Sequence, residues 1–112
     1  MIIEKPWGSE EIIEKNEKYM LKKLFMLSGR RCSLQYHKKK IETIYVLSGQ
    51  LRIYIGSSGE KCFSVIRKPN ESITIPQNIT HRMEALEDCV YLEASTPEMD
   101  DVIRLEDDYK RN

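Results

Sequence analysis

The chain has 112 residues, and its 18 basic and 18 acidic side chains give a formal net charge of zero. This length predicts one domain over residues 1–112, because a second domain would lack the residues for a core of its own. With 40% hydrophobic and 32% charged residues, the composition is typical of a globular protein and excludes a disordered chain. The neutral balance removes the electrostatic attraction that favours nucleic acid or an anionic membrane, so we expect neither as a partner.

The sequence lacks the apolar segments of membrane-spanning and exported proteins. No apolar run approaches the ~20 residues of a membrane span, and residues 1–6 lack the apolar region of a signal peptide. We therefore expect a cytoplasmic location. The three cysteines, Cys32, Cys62 and Cys89, are widely spaced and odd in number, which predicts reduced thiols rather than a disulfide framework or a paired-cysteine zinc site.

Apolar and polar residues alternate in several short segments, which is the pattern of strands with one face to bury. The clearest alternations, in chain order, are Leu51/Ile53/Ile55, Ile73/Ile75 and Val90/Leu92/Ala94. Turn signals separate such segments at residues 8–9, 16–17, 28–29, 48–49, 56–59, 69–70, 76–78 and 96–97. No intervening segment is long enough for the crossover helix of a parallel sheet, so the sequence predicts an all-β antiparallel sandwich or barrel.

The last residues, 98–112, are acidic but keep three apolar side chains, Val102, Ile103 and Leu105. These side chains predict a short strand or helical turn that docks on the body of the domain.

Four residues form a pattern suited to a metal ion. Gln35 and His37 are two apart and would project from one face of a strand, Glu42 follows a lysine-rich turn, and His81 follows a turn-rich segment. Two imidazoles, a carboxylate and an amide suit zinc, manganese, iron or nickel and leave positions open for substrate. Alternatively, a His-x-x-x-x-Glu spacing arises by chance, and either histidine is then a hydrogen-bonded strand residue.

At these residues the sequence resembles the cupin superfamily. Gly29, Gln35, His37, Glu42 and Gly49 have the order and spacing of the first cupin motif, and the second motif is similar to Asn70, Pro76, Asn78 and His81. More narrowly, the chain resembles the C-terminal cupin domain of type II mannose-6-phosphate isomerases, the isomerase half of bifunctional mannose-1-phosphate guanylyltransferases. The matching stretches are residues 5–9, 33–37, 46–49, 70–72, 75–76, 81–82 and 100–109.

This resemblance implies a small jelly-roll β-barrel that holds one divalent metal ion on Gln35, His37, Glu42 and His81. Zinc is the first candidate for this metal. Glutamine at the first ligand position is itself a feature of phosphomannose isomerases. The chain departs from the family in having lysines at residues 38–40 in place of a histidine-rich run, and Asn78 in place of glycine. Asparagine is the next best residue at positive φ, so we expect the turn to be retained. No counterpart of the guanylyltransferase domain is present, so we expect this chain not to make GDP-mannose alone.

The resemblance also suggests residues for substrate and catalysis. Arg104 is the first candidate for phosphate recognition and Arg82 the second, because a guanidinium group binds phosphate in a bidentate manner; the alternative for both is a surface ion pair. Lys22 matches a family lysine and has the strand parity to point into the barrel, where it could move a proton; otherwise it is a solvated strand lysine. The lysines at 38–40 either draw an anionic sugar to the mouth or form a solvated loop.

These interpretations predict a metal-dependent sugar-phosphate isomerase, with mannose 6-phosphate and fructose 6-phosphate as the pair that the resemblance implies. One alternative is isomerisation of another sugar. The alternative from a different class is a non-catalytic metal- or sugar-binding cupin that is accessory to polysaccharide or nucleotide-sugar biosynthesis. We expect a homodimer, since small barrels often pair to cover their edges.

Overall fold

The computed structural model of the chain describes residues 1–57 and 62–110. This part of the chain contains eleven strands and no helix, as the alternating pattern predicts. The strands are β1 (Ile2–Lys5), β2 (Gly8–Lys15), β3 (Met20–Met26), β4 (Leu34–Tyr36), β5 (Glu42–Ser48), β6 (Leu51–Ser57), β7 (Phe63–Arg67), β8 (Ser72–Ile75), β9 (Ile79–Ala85), β10 (Cys89–Ser95) and β11 (Ile103–Glu106). The described residues include no helix with the length and apolar character needed to cross a bilayer.

Two antiparallel sheets form the body of the protein. The six-stranded sheet has the order β1-β2-β3-β10-β5-β8, and the five-stranded sheet has the order β11-β4-β9-β6-β7. Consecutive strands alternate between the sheets at several points, which gives the all-β jelly-roll architecture that the sequence predicts. The core between the sheets includes Met26, Ile44, Val46, Leu51 and Ile53, all fully buried.

Two motif positions require the left-handed backbone conformation. Gly49 has φ 79°, and a Cβ at this position would overlap the carbonyl oxygen of Asp88. Asn78 has φ 63°, so asparagine keeps the turn that the second motif makes with glycine. The Asn78 N–H donates to the carbonyl oxygen of His37 at 2.7 Å, and this bond joins the two motifs.

In strand β10, the alternating apolar residues of the sequence pattern, Val90, Leu92 and Ala94, are not on the buried face. Tyr91, Glu93 and Ser95 point inward and are buried, whereas Val90, Leu92 and Ala94 point outward. Each outward side chain has a polar partner on one flanking strand and an apolar or aromatic partner on the other, with Val90 opposite Phe25, Ala94 opposite Leu21 and Leu92 opposite Tyr45. Cross-strand pairing thus partly covers Val90 and Leu92 on the outer face, while Tyr91 and Glu93 border a polar cavity.

The C-terminal segment docks as a strand, as its apolar residues predict. Ile103 and Arg104 of β11 pair with Tyr36 and Gln35 of β4. Farther along, the Tyr109 hydroxyl donates to the carbonyl oxygen of Arg31 at 3.1 Å. The cysteines are free thiols, as expected; Cys32 and Cys89 are buried.

Candidate metal centre and its cavity

Two histidines and a glutamate meet inside the barrel. His37 directly follows β4, Glu42 begins β5 and His81 lies within β9. Glu42 Oε1 lies 2.8 Å from His81 Nε2 and 3.3 Å from His37 Nε2. All three side chains are buried, and one nitrogen or oxygen atom of each lies within 4.8 Å of the others.

The outer nitrogen of each imidazole is held by a backbone carbonyl. His37 Nδ1 lies 2.5 Å from the Asp101 carbonyl oxygen, and His81 Nδ1 lies 3.0 Å from that of Ile79. A carbonyl oxygen can only accept, so each Nδ1 carries a proton and points its N–H outward, which leaves Nε2 as the ring atom that faces the cluster. His37 Nε2, His81 Nε2 and Glu42 Oε1 are buried without a hydrogen-bond donor among the described residues. Two imidazole nitrogens and a carboxylate oxygen that converge in this way fit a divalent cation.

The electrostatics of the cluster favour a bound cation or proton. Burial alone would raise the pKa of Glu42, but His37, His81 and Lys40 hold it well below its ordinary value. Burial would likewise lower the pKa of His81, but the Glu42 carboxylate outweighs burial and raises it. A carboxylate that stays ionised in the interior requires positive charge beside it.

Gln35 lies next to this cluster. It is opposite His81 in the ladder between β4 and β9, and its Oε1 accepts a hydrogen bond from Ser33 Oγ at 3.0 Å. Gln35 and His37 both lie on the wall of a cavity of about 370 Å³. The structure thus brings His37, Glu42 and His81 into one cluster and places Gln35 beside it.

The cavity wall is rich in charged groups. Apolar or aromatic side chains from the core, such as Trp7, Leu24 and Met83, form part of it. The charged or histidine members of the wall are Lys5, Glu10, Lys22, His37, Lys40, Glu93, Asp100 and Arg104. A wall with both hydrogen-bond donors and acceptors suits a polyhydroxylated ligand better than an apolar one.

Most of the cations on this wall are paired. Lys22 is buried and forms a close ion pair with Glu10, which Lys5 also approaches at 3.5 Å. Burial would raise the pKa of Glu10, but Lys22 and Lys5 lower it. Lys22 therefore lies on the cavity wall, as its strand parity predicts, with an anionic partner beside it.

Arg104 and Arg82 differ in their surroundings. Arg104 lies on the cavity wall, and within the described part of the chain it has no ion-pair partner and its buried Nε has no acceptor. Arg82 is the neighbour of His81 in β9 and points to the other face, where its Nε donates to the Cys32 carbonyl oxygen at 2.8 Å. Its terminal nitrogens lie 3.7 Å from Glu106 and 3.6 Å from Asp108. Arg82 thus fastens the C-terminal segment and lies away from the cavity.

The lysines at 38–40 do not act as one group. Lys38 and Lys39 are exposed, whereas Lys40 is buried and its Nζ lies 3.1 Å from Glu93 Oε2 and 3.7 Å from Glu42 Oε2. Lys40 therefore belongs to the charge network of the centre.

Glu93 is a cavity residue that the sequence reasoning missed. Its carboxyl is buried, and burial together with the nearby Glu42 carboxylate raises its pKa to about 7. The sequence feature that could have identified Glu93 is an acidic residue within an alternating strand, between Leu92 and Ala94.

Replacement of Glu93 with glutamine should change how stability depends on pH. A group whose pKa is raised by folding contributes stability below its unfolded pKa and loses that contribution as pH rises through the folded value, here about 7. The difference in unfolding free energy, variant minus wild type, should therefore grow by about 3 kcal/mol between about pH 4 and about pH 8. Urea unfolding of the metal-free proteins measures it, and a difference that does not change with pH would contradict the assignment.

Comparison with known proteins places the chain among sugar-related cupins. The family model described as mannose-6-phosphate isomerase C-terminal matches residues 1–107. The chain is 32% identical over 112 residues to the mannose-1-phosphate guanylyltransferase ManC of Salmonella typhimurium, covering 96% of the chain and 22% of that protein. It is 30% identical to the xanthan biosynthesis protein XanB of Xanthomonas campestris, with 96% and 23% covered. The chain thus spans less than a quarter of the length of these curated relatives.

Solved structures of other proteins share the fold. CapF, the capsular polysaccharide assembling protein of Staphylococcus aureus, superposes with a TM-score of 0.85 at 20% identity, over 95% of this chain and 31% of that chain. KdgF of Halomonas sp. gives a TM-score of 0.77 at 19% identity, over 90% and 91%. The oxalate decarboxylase of Bacillus subtilis, which has Mn(II) centres, gives a TM-score of 0.80 at 19% identity, over 93% of this chain and 29% of that chain. These likenesses establish the cupin fold.

Proposed function

The chain belongs to the family of mannose-6-phosphate isomerase C-terminal domains, and on that premise we propose that it is a metal-dependent sugar-phosphate isomerase that interconverts mannose 6-phosphate and fructose 6-phosphate. One observation carries the proposal: buried nitrogen and oxygen atoms of His37, Glu42 and His81 converge beside a cavity whose wall carries the Arg104 guanidinium, which has no ion-pair partner among the described residues. A metal centre and a phosphate-binding cation on one cavity would meet two of the requirements of this reaction.

The reaction moves a proton between C1 and C2 of the sugar through an enediol. A divalent metal, held by His37, Glu42 and His81 with Gln35 beside them, would supply Lewis-acid polarisation of the sugar oxygens. The Nδ1 atoms of both imidazoles are held by backbone carbonyls, so the Nε2 atoms face the position that such a metal would take.

The chain's own residues supply orientation and proton transfer. We assign phosphate binding to Arg104, because its guanidinium can form two parallel hydrogen bonds to phosphate oxygens. We assign proton transfer at the sugar oxygens to Lys22 Nζ, which the Glu10 carboxylate holds in place: Nζ gives a proton to the carbonyl oxygen as the enediol forms and takes one back from the other enediol oxygen as the new carbonyl forms. Trp7, Leu24 and Met83 on the same wall exclude water from the enediol.

A coupled assay with a panel of substrates tests the proposal. The purified chain, loaded in turn with Zn²⁺, Mn²⁺, Fe²⁺ and Ni²⁺, is mixed with mannose 6-phosphate, other aldose phosphates and the unphosphorylated sugars. We expect turnover of mannose 6-phosphate that depends on the metal. Turnover of a different sugar alone would overturn the substrate assignment. Bound metal and thermal stabilisation by sugar phosphates, with no turnover of any of them, would instead indicate a binding module.

A further inference from the structure

Asp101, which precedes β11, binds the loop that joins His37 to Glu42. Its carboxylate accepts hydrogen bonds from three consecutive backbone N–H groups, those of Lys38 at 3.1 Å, Lys39 at 2.7 Å and Lys40 at 3.0 Å. Its carbonyl oxygen accepts the bond from His37 Nδ1. Asp101 thus contacts both the candidate ligand His37 and the loop that leads from it to the next candidate ligand, Glu42.

The loop needs such an anchor because it has little apolar packing. Lys38, Lys39 and Ile41 are exposed, and only Lys40 turns its side chain inward. Consecutive N–H groups in a turn form an anion-binding concavity, which a carboxylate fills well. In keeping with this geometry, the N–H groups of Lys39, Lys40 and Lys38 lower the pKa of the Asp101 carboxyl.

The bond to the carbonyl oxygen determines the chemistry of the His37 ring. The partner of one imidazole nitrogen decides which nitrogen is protonated, and metal-binding histidines commonly donate the other N–H in this way. If the Asp101 carbonyl moved away, a proton could occupy His37 Nε2, the atom that faces Glu42 and His81.

We propose that Asp101 is a positioning residue of the metal centre: its carboxylate fixes the loop at residues 38–40, and its carbonyl thereby fixes the Nδ1–H tautomer of His37. The inference rests on the proposed function in one respect, since it takes His37 as a metal ligand. The C-terminal segment therefore completes the centre from outside the two sequence motifs that supply its ligands.

The test compares Asp101→Ala and Asp101→Asn with a matched control, Asp88→Ala. Asp88 also accepts a backbone N–H, that of Ser28 at 2.8 Å, and lies outside the cavity wall. Zn²⁺ affinity is measured by competition with a chromogenic chelator. The tautomers of the two histidines are read from long-range ¹H–¹⁵N correlation spectra of the metal-free proteins, which a merely structural role would leave unchanged.

We expect Asp101→Ala to raise the Kd for Zn²⁺ roughly 10- to 100-fold, the usual effect of an outer-shell partner, and to populate the Nε2–H tautomer of His37. Asp101→Asn, which keeps the size of the side chain but loses its charge, should have a smaller effect in the same direction. If Asp101→Ala does not fold, Asp101→Asn carries the same comparison. The Kd of the control variant, Asp88→Ala, for Zn²⁺ should stay within about twofold of the wild-type value, well below the 10- to 100-fold range.

Several results would overturn the inference. One is a wild-type His37 that carries its proton on Nε2; another is an unchanged tautomer and Kd in both Asp101 variants. Zn²⁺ is the probe and no sugar is present, so failure of the isomerase proposal leaves this test intact. If the wild type binds no Zn²⁺, the metal-dependent function fails, and the tautomer spectra alone decide the role of Asp101.

Discussion

Replacement of His81 with alanine should weaken Zn²⁺ binding by more than about 100-fold, beyond the range found for outer-shell residues. His81 is fully buried and its Nε2 is 2.8 Å from Glu42 Oε1, so the substitution removes one of the three atoms that converge on the candidate metal position. The variant also loses a group that keeps Glu42 ionised. Metal content after loading and dialysis, measured by mass spectrometry, and the Tm increase on adding Zn²⁺ check the prediction.

A shortened side chain at the adjacent position provides the control. Thr80→Ala removes atoms from the same strand at another buried site, but it removes no candidate ligand. We expect this variant to bind Zn²⁺ like the wild type even if its Tm falls. Retention of one Zn²⁺ per chain in His81→Ala, at an affinity close to that of the wild type, would show that the cluster is a hydrogen-bonded group of core side chains.

The spacing within the first motif predicted that its candidate ligands lie close together, because strand parity and turns are local geometry. Gln35 and His37 were set on one face by strand parity, and the turns before Glu42 and His81 return the chain toward them. The register of β4 and β9, which places Gln35 opposite His81, is a long-range property that no local pattern contains. The grouping of His81 with the other three residues was a hypothesis from residue type, which the resemblance to a family then supported.

Strand β10 marks the limit of reasoning from hydrophobicity. The rule that apolar faces are buried fails where a sheet encloses a polar cavity, because polar side chains then occupy the inner face. Val90, Leu92 and Ala94 then rely on neighbours across the outer face, whereas Glu93 takes the interior position. The role of Asp101 was not predicted either, because it depends on where the acidic C-terminal segment docks.

The two candidate arginines illustrate how strand parity and pairing decide a role. Arg82 follows His81 directly, so if His81 faces the cavity, Arg82 must face the opposite side. There it holds the Cys32 carbonyl and approaches Glu106 and Asp108. Arg104 stands opposite Gln35 in the ladder between β11 and β4, on the cavity side. A cation already held by two carboxylates, such as Arg82, has less to gain from phosphate than Arg104, which has no ion-pair partner among the described residues.

Arg104→Ala should therefore raise the KM for mannose 6-phosphate by roughly 10- to 150-fold, the equivalent of the 1.5–3 kcal/mol of a charged hydrogen bond. Zn²⁺ content should not change, because Arg104 is not among the ligands. Arg104→Lys keeps the charge but loses the planar pair of donors, so we expect an intermediate KM. Steady-state kinetics with Zn²⁺-loaded protein, and inhibition by inorganic phosphate, measure both effects.

Arg52→Ala is the matched control for this prediction. Arg52 is also a strand arginine, in β6, but it lies near Glu84 at 3.9 Å and outside the cavity wall. If removal of the Arg104 guanidinium acts through phosphate, the KM for phosphorylated substrate and the inhibition constant of inorganic phosphate should rise together in Arg104→Ala and remain unchanged in Arg52→Ala. An Arg104→Ala protein with an unaltered KM would remove Arg104 from the substrate site and leave the paired lysines of the cavity, Lys5 and Lys22, as the groups to test for phosphate binding.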